Sequence, residues 1–359
     1  FIVTLFCHGE LVRRKPAPEH LTTFYVMLSV GGALGGVLVG VLAPLFLSGY
    51  YELPIALMAV TALLLALLDY RPWRTSVVAC WTAAVCVLVL AGSYLELYGR
   101  ASLVTARNFY GSIRVLETDR DRSDEARTLV HGTVNHGMQL MDPERRREHV
   151  TYYGPCSGVS LALAAQRRPG MRVGVLGLGA GSLAAFCEAE DRFRFYEINP
   201  LVEEVARREF TYLADARGAV EIVLGDGRLS LEREPAQGFD VLVADAFSGD
   251  AIPVHLITKQ ALELYFRHLA PSGMLALNIT NAHLDMAPVV AALASGLGKH
   301  AVIIENSEDP ERSVFHARWA LLSSSPFPAA VRAAAAEPAV RPGFRVWTDD
   351  YSNLFQILK

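Results

Sequence analysis

Charge is scarce in the first third of this sequence. Residues 21–98 hold five charged side chains: Glu52, Asp69, Arg71, Arg74 and Glu96. The rest of the 359 residues are charged like a soluble protein. The chain carries a formal net charge of −4 and has no basic tail or basic stripe, so we expect no nucleic-acid partner. This asymmetry predicts one part that avoids water and one part that is soluble.

Cysteine is also sparse and poorly arranged for cross-linking. The five cysteines are Cys7, Cys80, Cys86, Cys156 and Cys187. They form no CxxC pair and no cluster with histidine, and three of them lie in apolar stretches. The sequence therefore favours neither a disulfide framework nor a zinc site, and we expect no metal.

Three apolar runs fill the charge-poor region. Thr22–Leu47, Leu53–Leu68 and Ser76–Leu95 contain no acidic or basic residue. A helix needs about 20 apolar residues to cross a bilayer, so the second run must borrow flanking residues. We predict transmembrane helices within residues 1–99, and a buried soluble helix bundle is the alternative. The chain opens in "FIVTLFC" without an initiator Met, which we interpret as the truncated first helix of a longer protein.

Small residues mark one face of the first apolar run. Gly32, Gly36 and Gly40 are spaced by four residues, which places them on one side of a helix. Such a face allows the backbone of another helix to approach closely. The spacing predicts tight helix–helix packing, and a helix merely rich in small residues is the alternative.

The soluble part shows two patterns. Residues 100–157 include "GSIRVLET" and "ARTLVHGTVNHGMQLM", whose alternation and Gly/Asn punctuation predict a small domain of β-hairpins. Residues 158–359 alternate seven short apolar strands with helical stretches, which predicts an α/β, Rossmann-like, mainly parallel sheet. Ligands bind such sheets at the carboxyl ends of the strands. The residues that follow each strand are therefore the candidates for a site.

The segment "VLGLGAGSLAAF", Val175–Phe186, ends the first strand in glycines. Gly177, Gly179 and Gly181 allow positive φ and let a ligand approach the backbone. The N-terminus of a following helix would add free N–H groups and partial positive charge. Ser182 occupies the third position of GxGxxG, so the pattern reads GxGxG and favours an S-adenosylmethionine-type cofactor over a dinucleotide. A tight turn without a ligand is the alternative.

Acidic residues end the next three strands. Glu197 lies about 20 residues beyond the glycines, where a carboxylate accepts from ribose hydroxyls. Asp226 and Gly227, in "LGDGR", are candidates for an adenine contact, with a simple Asp-Gly turn as the alternative. Asp245, in "VADAFSGDAIP", is placed to bind a cation or take a proton, with a helix cap as the alternative. Asp250 follows in a loop that can fold over a substrate, or that is simply solvated.

These motifs resemble those of a known family. "GLGAGS", "YEINP", "LGDGR", "FDVLVADAFSGDAIP" and "LITKQALELYFRHLAPSGMLALN" resemble the spermidine synthases, or polyamine aminopropyltransferases. The chain is similar to their membrane-anchored, spermidine synthase-like branch. The resemblance implies a transferase that uses decarboxylated S-adenosylmethionine or S-adenosylmethionine as co-substrate. It implies that Glu197 holds the ribose, Asp226 the adenine, and that Asp245 orients and helps deprotonate an amine such as putrescine or another polyamine.

Two departures from the family pattern concern the amine. The acidic pattern after the fourth strand is replaced, which displaces Asp250, and Tyr152 and Tyr153 are followed by Gly-Pro instead of polar residues. Tyr153 and Asp250 are nevertheless candidates for binding the amine. Asp349 and Asp350, in "WTDDYSN", either replace the missing amine contacts or form a solvated turn.

Three functions stay open. They are aminopropyl transfer, methyl transfer from S-adenosylmethionine, and a non-catalytic membrane sensor that binds a nucleoside. We expect a small-molecule amine and a membrane as partners, and a homodimer is left open.

The sequence gives conflicting indications about the side of the membrane on which the soluble domain lies. The basic residues Arg13, Arg14, Lys15, Arg71 and Arg74 lie in two loops that the positive-inside rule assigns to the cytoplasm. The soluble domain would then follow the third helix to the outside, although a cytosolic co-substrate requires it inside. We expect an integral protein of the cell membrane with its catalytic domain in the cytoplasm, against the distribution of basic residues.

Overall fold

The computed structural model of this chain describes residues 1–67, 75–100, 102–119, 125–132, 134–246 and 253–359. The chain divides into two compact units, Phe1–Arg114 and Val115–Lys359. The predicted segment boundaries near residues 99 and 157 stay predictions. Asp250 lies outside the described residues.

The first unit consists mainly of apolar helices. Its helices are α1 Ile2–Arg13, α2 Leu21–Val37, α3 Ala43–Phe46, α4 Glu52–Leu67 and α5 Thr75–Arg100. A π-helical turn, Leu38–Leu42, joins α2 to α3. Among the described residues, one helical stretch, Pro18–Phe46, is long and apolar enough to cross a bilayer by length and composition, and α4 is apolar but shorter.

Protein does not cover this long helix. Only 6% of its most apolar window is buried, and side chains such as Leu34 and Leu38 are more than half exposed. A Cβ at Gly32, Gly36 or Gly40 would meet no atom within 4 Å. The predicted close packing on the glycine face is therefore not seen within the described part of this chain.

Arg107 ties the loop before α4 to the strand β1, Ser102–Asn108. Its side chain is 8% exposed, pairs with Glu52 and donates to the carbonyl of Gly49 at 2.9 Å. Its guanidinium also stacks 4.7 Å from the ring centre of Tyr50, a cation–π contact. The end of α3 and the strand that follows α5 therefore lie at the same end of these helices.

Short strands follow α5 in the chain. The strand β2, Gly111–Thr118, crosses the boundary between the two units. The strands β3, Ala126–His131, and β4, Val134–Leu140, pair as an antiparallel hairpin. This confirms the prediction of a hairpin, which the alternating residues around Gly132 and Gly137 indicated.

A seven-stranded, mainly parallel sheet forms the second unit's core and confirms the predicted fold. Its strands are β5 Arg172–Leu176, β6 Arg192–Glu197, β7 Ala219–Leu224, β8 Phe239–Ala244, β9 Leu269–Asn278, β10 His300–Asn306 and β11 Ala317–Ser323. Their order is β10-β11-β9-β8-β5-β6-β7, and β11 is antiparallel to both its neighbours. The chain moves from β5 to one side and later returns to the other side with β8. The switch point therefore lies between β5 and β8, where ligands bind such sheets.

Helices cover this sheet. They are α6 Gly158–Ala165, α7 Pro200–Glu209, α8 Gly227–Arg233, α9 Lys259–His268, α10 Ala287–Leu297 and α11 Ala329–Ala333. Side chains such as Val173, Phe195 and Leu242 are fully buried beneath them. The stretch after β5 differs from the expected α-helix, because it is a 3₁₀-helix, Ser182–Phe186. Since β6 already begins at Arg192, the connection has room for the glycine loop and one short helix only.

Candidate active site

A cleft opens at the carboxyl ends of β5 and β8, at the switch point. It encloses about 620 Å³ of empty space, part of it open to solvent. Residues of the glycine loop, the hairpin β3–β4, the segment before α6 and the ends of β8 and β9 line it: Val134, Asn135, His136, Tyr152, Tyr153, Gly177, Leu178, Gly179, Leu183, Asp245, Asn278 and Thr280. The structure thus brings together four predicted site residues in this cleft: Tyr153, Gly177, Gly179 and Asp245.

The glycines are required by the chain's own backbone. Gly177 has φ +98°, and a Cβ there would lie 2.5 Å from the carbonyl oxygen of Asp245. Gly179 has φ +54°, and a Cβ there would lie 2.4 Å from the carbonyl oxygen of His136. Side chains are excluded at both positions because other strands approach the loop this closely. Gly181, with φ +82°, begins the 3₁₀-helix.

Asp245 directly follows β8 and holds the central carboxylate. Its Oδ2 accepts a hydrogen bond from the Tyr153 hydroxyl at 2.6 Å, and its Oδ1 accepts from the Asn278 amide at 2.8 Å. Burial raises the pKa of Asp245, and the two hydrogen bonds offset part of that rise. The group is therefore an oriented base in a desolvated setting, suited to accept a proton from a neighbouring cation.

Tyr153 acts as a donor to Asp245. Burial first, and then the charge of Asp245, raise the pKa of the Tyr153 phenol well above its usual range, so the hydroxyl keeps its proton. The Tyr153 carbonyl accepts from the Ser160 hydroxyl at 2.9 Å in the first turn of α6. The preceding Thr151 has φ +55° and bonds through its backbone to Ser313 and Phe315. These contacts hold the tyrosine in the cleft.

Glu197 ends β6 and supports the glycine loop. It is 7% exposed, and its carboxylate accepts from the backbone N–H of Leu178 at 3.0 Å and of Asn199 at 2.8 Å. Burial raises its pKa, and these backbone hydrogen bonds lower it in part. Asn199 caps α7 by accepting from the Leu201 N–H at 3.0 Å. Glu197 lies behind the glycine loop, and its ribose role stays a prediction.

Asp226 ends β7, at the edge where Glu197 ends β6. Its Oδ1 caps α8 by accepting from the Leu229 N–H at 2.9 Å, and its Oδ2 lies 3.4 Å from Nε2 of His255. A Cβ at Gly227 would lie 2.8 Å from a methyl group of Leu176, so glycine lets α8 pack on the sheet. The adenine role of Asp226 stays a prediction.

Asp349 and Asp350 are not among the residues that line the cleft. Asp349 accepts two hydrogen bonds from the Arg228 guanidinium, at 2.8 and 2.6 Å, and one from the Thr258 hydroxyl at 2.7 Å. Arg228 lowers the pKa of Asp349 to about 2. Asp350 is exposed. Their predicted contact with an amine stays a prediction.

Sequence reasoning missed His136, Asn278 and Thr280. Asn278 and Thr280 follow the strand-end rule used for the carboxylates, so the segment "MLALNIT" carried the signal. His136 lies on β4, and only the fold brings it to the glycine loop. Its Nε2 is buried without a hydrogen-bond partner among the described residues. Burial first, and then the neighbouring His131, lower the pKa of His136 to about 4.

Side chains that could bind a metal ion do not cluster in the described part of the chain. Across the described ranges, no group of three or more His, Cys, Asp or Glu side chains is placed to hold a metal ion.

Comparison with known proteins identifies relatives. No family model matches the chain. A polyamine aminopropyltransferase from Vibrio vulnificus is 31% identical over 145 residues, which are 39% of this chain and 46% of that protein. The chain thus spans about half the length of this curated relative. This match confirms the resemblance to the spermidine synthase-like proteins.

Two solved structures are similar to this chain. A probable spermidine synthase from Corynebacterium glutamicum has a TM-score of 0.52 and 20% identity, covering 70% of this chain and 98% of that one. A spermidine synthase from Thermotoga maritima has a TM-score of 0.45 and 13% identity, covering 67% of this chain and 81% of that one. The first of these matches shows the fold over 70% of this chain.

Proposed function

We propose that this spermidine synthase-like chain is a membrane-anchored transferase that moves an aminopropyl group from decarboxylated S-adenosylmethionine to an amine such as putrescine or another polyamine. The observation that carries this proposal is the Asp245 carboxylate, held by Tyr153 and Asn278 beside a glycine loop at the switch point. The relative from Vibrio vulnificus, named a polyamine aminopropyltransferase, supports it.

The residues present fit a sulfonium nucleoside. The bare backbone at Gly177 and Gly179 borders the cleft, and the carboxylates of Glu197 and Asp226 end adjacent strands on the same edge. In our proposal Glu197 accepts from the ribose hydroxyls with the lone pairs that its two backbone donors leave free. Asp226 accepts from the adenine amino group with Oδ2, because Oδ1 caps α8.

Asp245 would perform the proton chemistry. The bound co-substrate supplies an electrophilic carbon next to a sulfonium and leaves as a neutral thioether. An ammonium group has no lone pair, so Asp245 must orient the amine and accept its proton before nitrogen attacks. The raised pKa of Asp245 brings it closer to that of an amine, and Tyr153 and Asn278 keep its oxygens aimed. Alignment of nitrogen, carbon and sulfur contributes much of the remaining acceleration.

Four residues are candidates for binding the amine: Tyr153, Asp250, Asp349 and Asp350. Tyr153 lines the cleft, whereas Asp349 is paired with Arg228, and Asp250 lies outside the described residues. We propose that Tyr153 and Asp250 contact the amine near Asp245. Asp349 would have to leave Arg228 before it could bind the amine.

Methyl transfer from S-adenosylmethionine is the second candidate. The charge of the cleft favours it. Among the cleft-lining residues that the structure describes, Asp245 is the one carboxylate. S-adenosylmethionine carries a carboxylate of its own, so it needs less acidic surroundings than its decarboxylated form.

Exposed apolar helices support a membrane anchor. The stretch Pro18–Phe46 has a mean hydropathy of 2.2 and almost no protein cover, and an apolar surface of this size requires lipid or a partner. We propose that the first unit lies in the cell membrane and that the second unit works in the cytoplasm, as a cytosolic co-substrate requires.

Product analysis separates the candidates. The purified full chain is incubated with decarboxylated S-adenosylmethionine or S-adenosylmethionine and a panel of diamines and polyamines. Release of methylthioadenosine together with an extended amine indicates aminopropyl transfer. Release of S-adenosylhomocysteine indicates methyl transfer. Binding of a nucleoside without either product would contradict both and support a sensor.

A further inference from the structure

His136 is held against the glycine loop through its backbone. Its carbonyl oxygen accepts from the Ala180 N–H at 3.1 Å, and it is the oxygen that leaves no room for a Cβ at Gly179. The next residue is Gly137, where a Cβ would lie 2.8 Å from the Cβ of Ala180. The strand β4 therefore presses directly on the loop that borders the proposed co-substrate.

His136 is one of the residues that line the cleft, together with Asp245 and Tyr153. Its Nε2 is buried, and no described residue supplies it with a hydrogen bond. Burying a polar atom without a partner costs free energy that natural proteins normally avoid. Because His136 lines the cleft, a bound ligand is a candidate for the missing partner of this nitrogen.

His136 is uncharged at neutral pH. Burial and His131, whose ring centre lies 5.5 Å away, lower its pKa to about 4. A neutral imidazole offers one nitrogen that accepts a hydrogen bond. It accepts from an ammonium group without adding a positive charge beside a sulfonium, and Asp245 supplies the negative charge in the same cleft.

We propose that His136 binds the ammonium group in the tail of the sulfonium co-substrate by accepting a hydrogen bond at Nε2. The inference rests on the proposed function. The position fits the tail, because His136 adjoins the glycine loop while Asp245 lies across it at the end of β8. Decarboxylated S-adenosylmethionine and S-adenosylmethionine both carry this ammonium group, and methylthioadenosine has the same nucleoside and sulfur but no such tail.

Titration calorimetry with these three ligands tests the proposal on the full chain. His136→Phe removes the acceptor, His136→Gln keeps a neutral acceptor, and His131→Gln changes the neighbouring imidazole outside the cleft lining. We expect His136→Phe to weaken binding of both tailed ligands about tenfold or more, as for a hydrogen bond to a charged group. Methylthioadenosine binding should change less than about twofold, because that ligand makes no tail contact. His136→Gln should recover part of the loss, and His131→Gln should bind all three ligands like the parent chain.

The outcomes are distinguishable. Equal losses for all three ligands would mean that His136 supports the loop instead of the tail, and unchanged binding would mean that it contacts no ligand. Either result overturns the inference and leaves the proposed function standing. Failure of the parent chain to bind any of the three ligands overturns the proposed function and the inference with it. Melting temperatures report folding, and His136→Ala replaces the Phe variant if that variant does not fold.

Discussion

The Tyr153 hydroxyl donates a 2.6 Å hydrogen bond to Oδ2 of Asp245, although 92 positions separate the two residues in sequence. The phenol keeps its proton because burial and Asp245 raise its pKa. The carboxylate is thus oriented by a neutral donor on one oxygen and by Asn278 on the other. Its charge stays available for a cation in the cleft.

Asp245→Asn should abolish turnover, because the amide accepts no proton from the amine. Binding of the co-substrate should stay within a few-fold of the parent value, since in our proposal the nucleoside is held by the glycine loop, Glu197 and Asp226. Steady-state release of methylthioadenosine and titration calorimetry measure the two effects. Glu203→Gln, which alters the ion pair of Glu203 with Arg207 on α7, is the control. A collapse of co-substrate binding in Asp245→Asn would contradict this division of roles.

Tyr153→Phe should move the acidic limb of the pH–rate profile to higher pH. The hydrogen bond from Tyr153 favours the charged carboxylate and lowers the pKa of Asp245, so its loss raises that pKa further. A base with a higher pKa becomes protonated, and inactive, at a higher pH. The logarithm of kcat/KM against pH measures the shift. Tyr212→Phe removes another buried hydroxyl, bonded to the Met138 carbonyl, and should leave the limb in place.

Glu197→Ala should weaken co-substrate binding by about 2–3 kcal/mol, as for a charged hydrogen-bonding partner. It should also lower the melting temperature, since the buried N–H groups of Leu178 and Asn199 lose their acceptor. Asn199→Ala separates the two effects. It removes the cap of α7, worth about 1 kcal/mol of stability, and should leave the dissociation constant near the parent value. An unchanged dissociation constant in Glu197→Ala would exclude the ribose contact.

Gly177→Ala should destabilise the protein far more than Gly298→Ala. Both glycines have positive φ, +98° and +60°, which costs an alanine about 1–2 kcal/mol. Only at Gly177 would the new Cβ also collide with a backbone atom, the carbonyl oxygen of Asp245. Thermal unfolding of the two variants compares strain with and without this collision. Equal melting temperatures would show that the loop moves away from Asp245 at little cost.

The membrane proposal predicts the sides of two chain positions. A reporter fused after Lys359 of the full chain should lie in the cytoplasm. The contacts of Arg107 put the end of α3 and the strand after α5 at one end of the helices, so Lys15 should lie on the opposite side. Labelling of Lys15→Cys by a membrane-impermeant maleimide, in a background without other cysteines, measures this. If Lys15→Cys is labelled and the reporter is also external, both positions lie on one side of the membrane, which contradicts three crossings. If the reporter is external and Lys15→Cys is not labelled, the result favours the assignment by the positive-inside rule.

Local pattern predicted the sheet and its acidic edge. Short apolar strands alternate with helical stretches, and the carboxyl ends of parallel strands must meet at one edge, so Glu197, Asp226 and Asp245 follow β6, β7 and β8 as expected. Helix starts also depend on local residues, since Asn199 and Asp226 cap the helices that follow them. Such features depend on neighbours in sequence.

Contacts between distant segments could not be predicted in this way. The glycine cluster suggested a ligand, but the atoms that exclude a side chain there are carbonyl oxygens of Asp245 and His136, on other strands. Asp349 is paired with Arg228, and Tyr153 points at Asp245. Residue types and their order in the sequence determined the sheet, the apolar helices and the acidic strand ends. Only the packing of strands far apart along the chain decided which groups meet in the cleft, because such contacts depend on three-dimensional register that no local pattern encodes.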